Sequence, residues 1–319
     1  MKTTVIGCGR WGSFIAWYLN RIGHDVTLYG RTESKNMQRF LDSRSNEYLT
    51  MPESVALSTE LSCVTDSEIV VISIGSQSLN ALCAKLAEMG VSDKTFVLCM
   101  KGIEVETGRR LSQIATEHLG GKNDIAVWIG PGHVQEFVKG VPNCMVIDSE
   151  NEEVKSRLVS EFSGELIRFY YGTDLIGNEI GAASKNVIGI AAGMLDGLGL
   201  STLKGALMSR GTREISILIE ALGGNGLSAY GLCHLGDYEA TVFSEHSHNR
   251  RFGELWIKGE AYDKLAEGYF TVKPLVKMAE EKGLELPICK AVHSMLYSEN
   301  CDPLTELNAL FTRKLKNEF

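Results

Sequence analysis

The sequence lacks several features that would point to particular classes of protein. Its eight cysteines include no CxxC motif and no closely spaced pair, which argues against a disulfide framework and favours reduced thiols in a cytosol. No apolar run reaches the roughly 18 residues that a membrane span needs. Met1 leads almost directly into a strand and a glycine turn, which leaves no room for a signal peptide. We therefore expect a soluble cytoplasmic protein without a membrane span.

The chain also lacks an excess of positive charge, internal repeats and low-complexity segments. Its formal net charge is −8, so no nucleic-acid or anionic-membrane partner is expected, although a local basic site is compatible with this value. Hydrophobic residues make up 44% and charged residues 23% of the sequence, a balance typical of a globular enzyme and not of a disordered chain. A length of 319 residues favours two domains.

Two patterns of secondary structure divide the chain. In the first half, apolar β-rich runs alternate with helical patterns, which indicates a mainly parallel sheet covered by helices on both faces. After about Ile176 the strand-like runs end and helical periodicity continues, as at 207–222 and 272–282. The predicted strands are 3–6, 25–29, 69–74, 95–99, 125–129, 144–147 and 166–170.

A glycine motif follows the first predicted strand. Gly7-Cys8-Gly9-Arg10-Trp11-Gly12 matches GxGxxG directly before a helical pattern, and a second strand ends about 20 residues later. In such a turn the glycines let the backbone approach a pyrophosphate, and the helix N-terminus offers N–H groups to the phosphates. We predict an α/β fold, with a Rossmann-like dinucleotide-binding domain over 1–176 and an all-helical substrate domain over 177–319.

The end of the second strand bears on the choice between NAD and NADP. Leu28-Tyr29-Gly30-Arg31 contains no acidic residue where a ribose 2′-hydroxyl would be bound. Arg31, helped by Arg10 or Ser34, could instead hold a 2′-phosphate. The alternative is that Arg31 is a solvated loop residue. We predict NADP as the cofactor, with NAD possible.

Lys185 lies in a run of small and apolar residues, 181–193. In a helix, Gly181, Lys185 and Gly189 fall at i, i+4 steps on one face, so a ligand or a neighbouring element can approach the backbone closely. Partial desolvation there would lower the pKa of the lysine and make the amine available as a base. The alternative is a lysine whose stem covers apolar surface while its amine reaches water.

Further polar groups follow the strands or lie in the helical half. Lys101 follows a strand at the carboxyl edge of the sheet, where ligands of α/β proteins bind. Gly130-Pro131-Gly132-His133 follows the next strand, so its backbone N–H groups could cradle an anion or an oxyanion. The helical half contributes Gly236-Asp237 and the basic cluster 247–251. The alternative to a binding role for this cluster is a solvated helix face. The histidines and acids within 234–248 match no compact ligand spacing, so no metal is predicted.

These motifs, in this order and at nearly this spacing, resemble the NAD(P)-dependent glycerol-3-phosphate dehydrogenase family. The similarity extends over almost the whole chain, to about Pro287-Ile288, and is therefore far more specific than the glycine motif alone. The matching stretches are Lys101–Glu104, Gly130-Pro131, Lys185–Ile188, Arg210-Gly211, Gly236-Asp237, Ser247 with Asn249–Gly253, and Glu267–Tyr269.

The resemblance implies roles for these residues. Lys185 would exchange a proton with the secondary hydroxyl of a small phosphorylated substrate while hydride passes between that carbon and the nicotinamide, and Lys101 would neutralise alkoxide charge. In the biosynthetic direction, dihydroxyacetone phosphate would be reduced to sn-glycerol 3-phosphate, a phospholipid precursor. Expected substrate contacts are Lys101, Gly130, Gly132, Asn186, Asp237, Ser247, Asn249 and Arg250. Expected cofactor contacts are Gly7, Gly9, Arg10, Trp11, Gly12, Arg31, Lys101, Val134 and Glu267.

The sequence departs from the family pattern around the substrate. His248 stands where the family usually has an arginine that touches phosphate and cofactor, and Arg250 is a candidate to replace it. Gly132 stands in place of a serine or threonine, and Cys233-His234 in place of an Ala-Gly pair. A related dehydrogenase acting on another hydroxy or phosphorylated substrate is therefore the alternative, and a non-catalytic NAD(P)-sensing protein is a further one. Helical second domains of this kind often pair, so a homodimer is possible.

Overall fold

The computed structural model describes residues 1–299, 301–315 and 317–318. The chain separates into two compact units. Unit 1 comprises Met1–Lys101 and Arg109–Glu179, and unit 2 comprises Gly102–Gly108 and the chain from Ile180 onward. The short segment 102–108 thus belongs to the second unit although it lies within the first half of the sequence. Whether the predicted limits 1–176 and 177–319 delimit independent folding domains stays a prediction.

Unit 1 is built on one sheet. Its strands are β1 (Lys2–Ile6), β2 (Asp25–Tyr29), β3 (Ala56–Ser58), β4 (Ile69–Ile72), β5 (Thr95–Leu98), β6 (Asp124–Ile129), β7 (Asn143–Ser149) and β8 (Ile167–Tyr171). They lie in the order β3-β2-β1-β4-β5-β6-β7-β8. Every neighbouring pair is parallel except β6 and β7, which are antiparallel. The predicted mainly parallel α/β fold is therefore confirmed.

The helices of unit 1 cover this sheet. They are α1 (Arg10–Arg21), α2 (Lys35–Ser43), α3 (Leu79–Glu88), α4 (Leu111–Leu119), α5 (Val134–Val138) and α6 (Glu152–Phe162), followed by α7 (Leu175–Gly197), which continues into unit 2. Apolar positions on α1 bury its inner face: Phe14 is fully buried and stacks on Phe137 of α5, with 4.9 Å between the ring centroids. This contact joins α1 to α5 and fixes the helix that starts at the glycine motif.

The strand order creates a switch point beside β1. The chain leaves β1 for β2 on one side and later returns to β4 on the other side. Ligands of open α/β sheets bind outside the carboxyl ends of the strands at such a point. The glycine motif lies there, because Gly7 follows β1 and Ser73, which donates its backbone N–H to Ile6, follows β4.

Every element of secondary structure described after residue 175 is helical, as predicted. After α7 these are α8 (Lys204–Ala221), α9 (His248–Ile257), α10 (Glu267–Glu281), α11 (Pro287–Tyr297) and α12 (Pro303–Phe311). Between α8 and α9 the chain forms short 3-10 turns and one π-helical turn (Glu239–Phe243). Within residues 1–299, 301–315 and 317–318, no helix is both long enough and apolar enough to cross a membrane.

The small residues of α7 allow close packing against α9. A Cβ placed on Gly193 would lie 1.9 Å from the carbonyl oxygen of Arg250, and one on Gly253 would lie 2.2 Å from the carbonyl oxygen of Ile190. The two helices therefore touch through their backbones. The predicted close approach along this face of α7 is made by a neighbouring element of the chain, which brings α9 to the helix that carries Lys185.

Glu214 of α8 caps the N-terminus of α11 from a distant part of the sequence. Its carboxylate accepts hydrogen bonds from the backbone N–H of Ile288 at 2.6 Å and of Cys289 at 3.3 Å. Burial nevertheless raises the pKa of Glu214 from 4.5 to about 7. A carboxyl with a higher pKa in the folded chain binds its proton more tightly there, so this group makes the protein less stable as the pH rises from 4.5 to about 7.

We expect Glu214→Gln to remove this contribution to the pH dependence of stability. The free energy of unfolding is measured by urea denaturation at pH 8 and at pH 4.5. In the variant, the value at pH 8 minus the value at pH 4.5 should increase by on the order of 3 kcal/mol. Glu220→Gln, at an exposed position of the same helix, is the matched control and should leave the slope unchanged. An unchanged slope in the Glu214 variant would contradict the assignment.

Candidate active site

The glycine turn between β1 and α1 is packed tightly on both sides. Gly7 has a φ of 111°, a conformation that favours glycine, and a Cβ there would lie 2.1 Å from the carbonyl oxygen of Ser73. A Cβ on Gly12 would lie 1.9 Å from the carbonyl oxygen of Gly7. The two glycines therefore hold the turn against the end of β4 and hold α1 against the turn.

The middle of the same turn is open. A Cβ placed on Gly9, the N-cap of α1, would meet no atom of the described residues within 4 Å. The first turn of α1 begins with Arg10 and Trp11 and contains no acidic side chain in this sequence, so it presents the positive end of the helix dipole. Open space beside a helix N-terminus fits the pyrophosphate of a dinucleotide.

Arg31 and Cys8 lie next to this turn. The Arg31 side chain is 74% exposed and its Nε lies 3.2 Å from Glu33. An ion pair this exposed contributes little to stability, so the guanidinium can exchange Glu33 for a ligand phosphate at low cost. Cys8 Sγ lies 3.4 Å from the hydroxyl of Ser34, and burial raises the pKa of the Cys8 thiol. The cysteine of the motif is therefore held as a protonated thiol.

Lys101 and the predicted anion-binding turn lie at the carboxyl ends of β5 and β6. Lys101 Nζ donates a hydrogen bond to the carbonyl oxygen of Gly130 at 2.5 Å. Gly130 and Gly132 have φ angles of 132° and 154°, and a Cβ on Gly132 would lie 2.4 Å from the ring of Phe137. The ring of Phe137 therefore fills the space that a side chain at residue 132 would need. Val134 follows as the first residue of α5 and is buried.

Lys185 is buried on α7 and its amine contacts Asp237 and Thr241. The residue is 7% exposed. Its Nζ lies 2.7 Å from Asp237 Oδ2 and donates a hydrogen bond to Thr241 Oγ1 at 2.8 Å. The Thr241 hydroxyl in turn donates to the backbone carbonyl of Asp237 at 2.7 Å. The amine therefore does not extend into bulk water, in contrast to the alternative of a lysine that only covers apolar surface.

A pair of asparagines lies beside this ion pair. Asn249 Nδ2 donates to Asn186 Oδ1 at 3.0 Å, and the backbone N–H of Gly268 donates to Asn249 Oδ1 at 2.9 Å. These bonds connect α7, α9 and α10, and they place Glu267 at the start of α10. Ser247 is the N-cap of α9 and accepts the backbone N–H of Arg250. These hydrogen bonds link predicted site residues on three helices of unit 2.

Arg250 is engaged in an ion-pair cluster. Its Nη1 lies 2.7 Å from Asp196 and 3.2 Å from Glu254, and its Nε donates to the carbonyl oxygen of Ser244 at 3.0 Å. Binding a substrate phosphate would require Arg250 to give up some of these bonds, so its replacement of the family arginine stays a prediction. His248, which occupies the family position, makes a hydrogen bond through Nδ1 to the hydroxyl of Tyr262.

The structure thus gathers the predicted residues into three groups. Lys185, Asn186, Asp237 and Asn249 lie together in unit 2, whereas the glycine motif and Arg31 surround the turn after β1 in unit 1. The third group lies at the ends of β5 and β6: Lys101, Gly130, Gly132 and Val134. Sequence reasoning missed Thr241, for which the only signal is its i, i+4 spacing from Asp237. No set of three or more His, Cys, Asp or Glu side chains among the described residues could hold a metal ion.

The chain combines a glycine turn at the switch point of a parallel sheet with a buried lysine on a helical unit. This combination is typical of an NAD(P)-dependent dehydrogenase. The comparison with known families agrees with this class. The chain belongs to the NAD-dependent glycerol-3-phosphate dehydrogenase family, whose N-terminal part it matches over residues 2–155 and whose C-terminal part it matches over residues 174–305.

Individual relatives are similar over the full length. Glycerol-3-phosphate dehydrogenase (NAD(P)+) of a Thermoanaerobacter species is 37% identical over 100% of this chain and 99% of its own length. The protein of the same name from Chlorobium limicola is 33% identical over 100% and 99% of the two chains. The crystal structure of glycerol-3-phosphate dehydrogenase from Coxiella burnetii superposes with a TM-score of 0.90 at 26% identity, over 98% of this chain and 99% of that one. The similarity therefore includes both units.

Proposed function

We propose that this protein transfers hydride between NAD(P)H and dihydroxyacetone phosphate to give sn-glycerol 3-phosphate, a phospholipid precursor. Lys185 is the proton donor in this direction and the proton acceptor in the reverse direction. The observation that carries the proposal is the buried ion pair of Lys185 Nζ with Asp237, 2.7 Å apart, in a chain of this family. A small phosphorylated substrate is the expected partner, while a homodimer and a cytoplasmic location stay predictions.

The residues around the amine are suited to proton transfer to a carbonyl oxygen. A carboxylate at ion-pair distance favours the protonated form of a lysine, which is the form needed when a ketone is reduced. The hydroxyl of Thr241 fixes the direction of a second N–H bond. Burial keeps bulk water away from the amine, and a positioned acid or base in such an environment contributes roughly 100- to 10,000-fold to the rate. When bound, the nicotinamide supplies or accepts the hydride.

The groups around the glycine turn support binding of the dinucleotide. Gly7, Gly9 and Gly12 provide the packed and open surfaces described above, and Arg31 would hold a 2′-phosphate. Relatives carry names that include both NAD+ and NADP+, and the cofactor is accordingly NADP or NAD. The preference for NADP stays a prediction that depends on Arg31.

Replacing Arg31 with alanine should weaken NADPH binding and leave NADH binding nearly unchanged. Loss of a charge-assisted bond to the 2′-phosphate should raise the KM for NADPH by roughly tenfold. Glu33→Gln is the matched control, because it removes the partner of Arg31 and keeps the guanidinium. Steady-state kinetics with both cofactors provide the measurement, and equal effects on NADH and NADPH would reject the 2′-phosphate assignment.

A related dehydrogenase with another substrate is the second candidate. The observation that favours it is His248, which stands in place of the family arginine and is bound to Tyr262. The proposed function is tested by following NADPH oxidation with dihydroxyacetone phosphate and with a panel of 2-keto acids and other phosphorylated ketones. Turnover of the triose phosphate at the highest kcat/KM is the expected result. Turnover of a different carbonyl compound, with none of the triose phosphate, would overturn the assignment in favour of the second candidate.

A further inference from the structure

The residues that touch the Lys185 amine lie on an irregular stretch between α8 and α9. Asp237 ends a 3-10 turn (Leu235–Asp237), and Thr241 lies in the π-helical turn that follows. Such short turns have poorer backbone hydrogen-bond geometry than an α-helix, and single π-helical turns often mark functional sites. Side-chain contacts must therefore help to determine where the carboxylate of Asp237 lies.

His234 makes contacts of this kind. Its ring is fully buried, with Nδ1 2.8 Å from the carbonyl oxygen of Gly181 and Nε2 2.7 Å from the hydroxyl of Tyr238. Gly181 lies one helical turn before Lys185 on the same face of α7. A Cβ placed on Gly181 would lie 3.1 Å from the Cβ of His234. The glycine at 181 thus lets this histidine reach the backbone of the helix that carries the lysine.

The partners of the His234 ring determine where its proton lies. A carbonyl oxygen only accepts hydrogen bonds, so Nδ1 carries the hydrogen and donates it to Gly181, and Nε2 accepts the hydrogen of the Tyr238 hydroxyl. Burial lowers the pKa of His234 to about 4, so the ring is neutral at neutral pH. The Tyr238 hydroxyl also lies 3.4 Å from Thr212 Oγ1 on α8. The contacts therefore run from α7 through the two rings to α8.

We propose that His234 and Tyr238 are positioning residues, which hold Asp237 and thereby the amine of Lys185 in place. The two side chains are four residues apart, and Asp237 lies between them in the sequence. Their mutual hydrogen bond closes this stretch of backbone, while the bond to Gly181 attaches it to α7 one turn from Lys185. The inference rests on the proposed function, since that function assigns proton transfer to Lys185.

The physical argument is one of geometry. Asp237 Oδ2 lies 2.7 Å from Lys185 Nζ, and a displacement of about 1 Å at a reacting group can reduce the rate by roughly 100-fold. The roles that the resemblance implies include neither ring. We call this hydrogen-bonded pair of side chains the His234–Tyr238 clamp.

The clamp is tested with variants that each remove one part of it. Tyr238→Phe removes the hydroxyl and keeps the ring. His234→Asn keeps a donor for Gly181 but loses the acceptor for Tyr238, and the double variant completes a mutant cycle. Tyr18→Phe is the matched control, because Tyr18 is a buried tyrosine of unit 1 whose hydroxyl donates to the carbonyl oxygen of Phe162 at 2.6 Å.

Five quantities are measured in each full-length variant. They are kcat and KM with NADPH and dihydroxyacetone phosphate, the pH profile of kcat, the melting temperature, and hydrogen–deuterium exchange of the backbone at 235–243. We expect kcat to fall by roughly tenfold in each single variant, as for the loss of one buried hydrogen bond, and no further in the double variant. The pH profile of kcat should shift and exchange at 235–243 should accelerate, while Tyr18→Phe should change neither.

Two results would overturn the clamp. One is an unchanged kcat and pH profile in both single variants, and the other is a fall in kcat that only follows the fraction of unfolded protein. If the native protein does not reduce dihydroxyacetone phosphate with NADPH, the proposed function fails, and hydrogen exchange alone decides the clamp. Faster exchange at 235–243 in Tyr238→Phe would then support the clamp, and unchanged exchange would overturn it.

Discussion

Lys185→Ala should reduce kcat for the reduction of dihydroxyacetone phosphate by on the order of 100-fold or more, because it removes the proposed proton donor. The KM for NADPH should change little, since the glycine turn that we propose holds the dinucleotide lies in a different unit of the chain. Circular dichroism and the melting temperature should show that the variant is folded. Small primary amines added to the buffer should restore part of the activity, because the substitution leaves space beside Asp237 and Thr241.

The chain offers a matched control for this experiment. Lys155 of α6 is also a buried lysine near a buried aspartate, with its Nζ 3.8 Å from Asp148, and it belongs to unit 1. Lys155→Ala should lower the melting temperature and leave kcat per folded molecule unchanged. Full biological activity of the Lys185 variant would contradict the enzymatic account and would favour a non-catalytic NAD(P)-binding role.

Asp237→Asn should produce the second large effect, a fall in kcat of roughly 10- to 100-fold at neutral pH, since the carboxylate that favours the charged amine is lost. The same contact determines the direction in which the pH profile of kcat should shift. Without the carboxylate the ammonium form survives only at lower pH, so the alkaline limb of the kcat profile for reduction should move to lower pH.

Stability must be measured together with activity in this variant. Breaking a buried ion pair costs roughly 3–5 kcal/mol, so kcat has to be expressed per folded molecule. Asp148→Asn, which removes the aspartate of the control pair in unit 1, should also be less stable but should keep the pH profile of the native protein. A normal pH profile in Asp237→Asn would show that this carboxylate does not control the protonation of the amine.

Much of the fold could be predicted from local patterns. The β2 strand begins and ends where predicted, because a short apolar run between polar turns leaves little freedom in where the strand starts. The β3 strand was missed, since three residues, Ala56–Ser58, carry no periodicity. The α4 helix begins only at Leu111, because Gly108 has a φ of 74° and Arg110, the N-cap, is extended. The assignment of 102–108 to unit 2 depends on contacts that are distant in sequence.

The site was predictable only in part. Lys185 stands out because a charged residue is rare among so many small apolar ones, and the role of Asp237 as a substrate contact was predicted from the resemblance to the family. Their ion pair depends on the path of the chain between α8 and α9, where short 3-10 and π-helical turns leave no periodic signal. The same is true of Thr241 and of the His234–Tyr238 clamp. Arg250 was predicted to bind the substrate, but its ion pairs with Asp196 and Glu254 become visible only in the folded chain.

The transfer of isotope from cofactor to product tests the central claim most directly. The native protein is mixed with dihydroxyacetone phosphate and NADPH that carries deuterium at the transferable position of the nicotinamide, and the product is analysed by mass spectrometry. The account predicts glycerol 3-phosphate with one deuterium at C2 for each NADPH consumed, formed far more slowly by Lys185→Ala. Absence of labelled glycerol 3-phosphate from the native protein, or an equal rate in the two proteins, would contradict it.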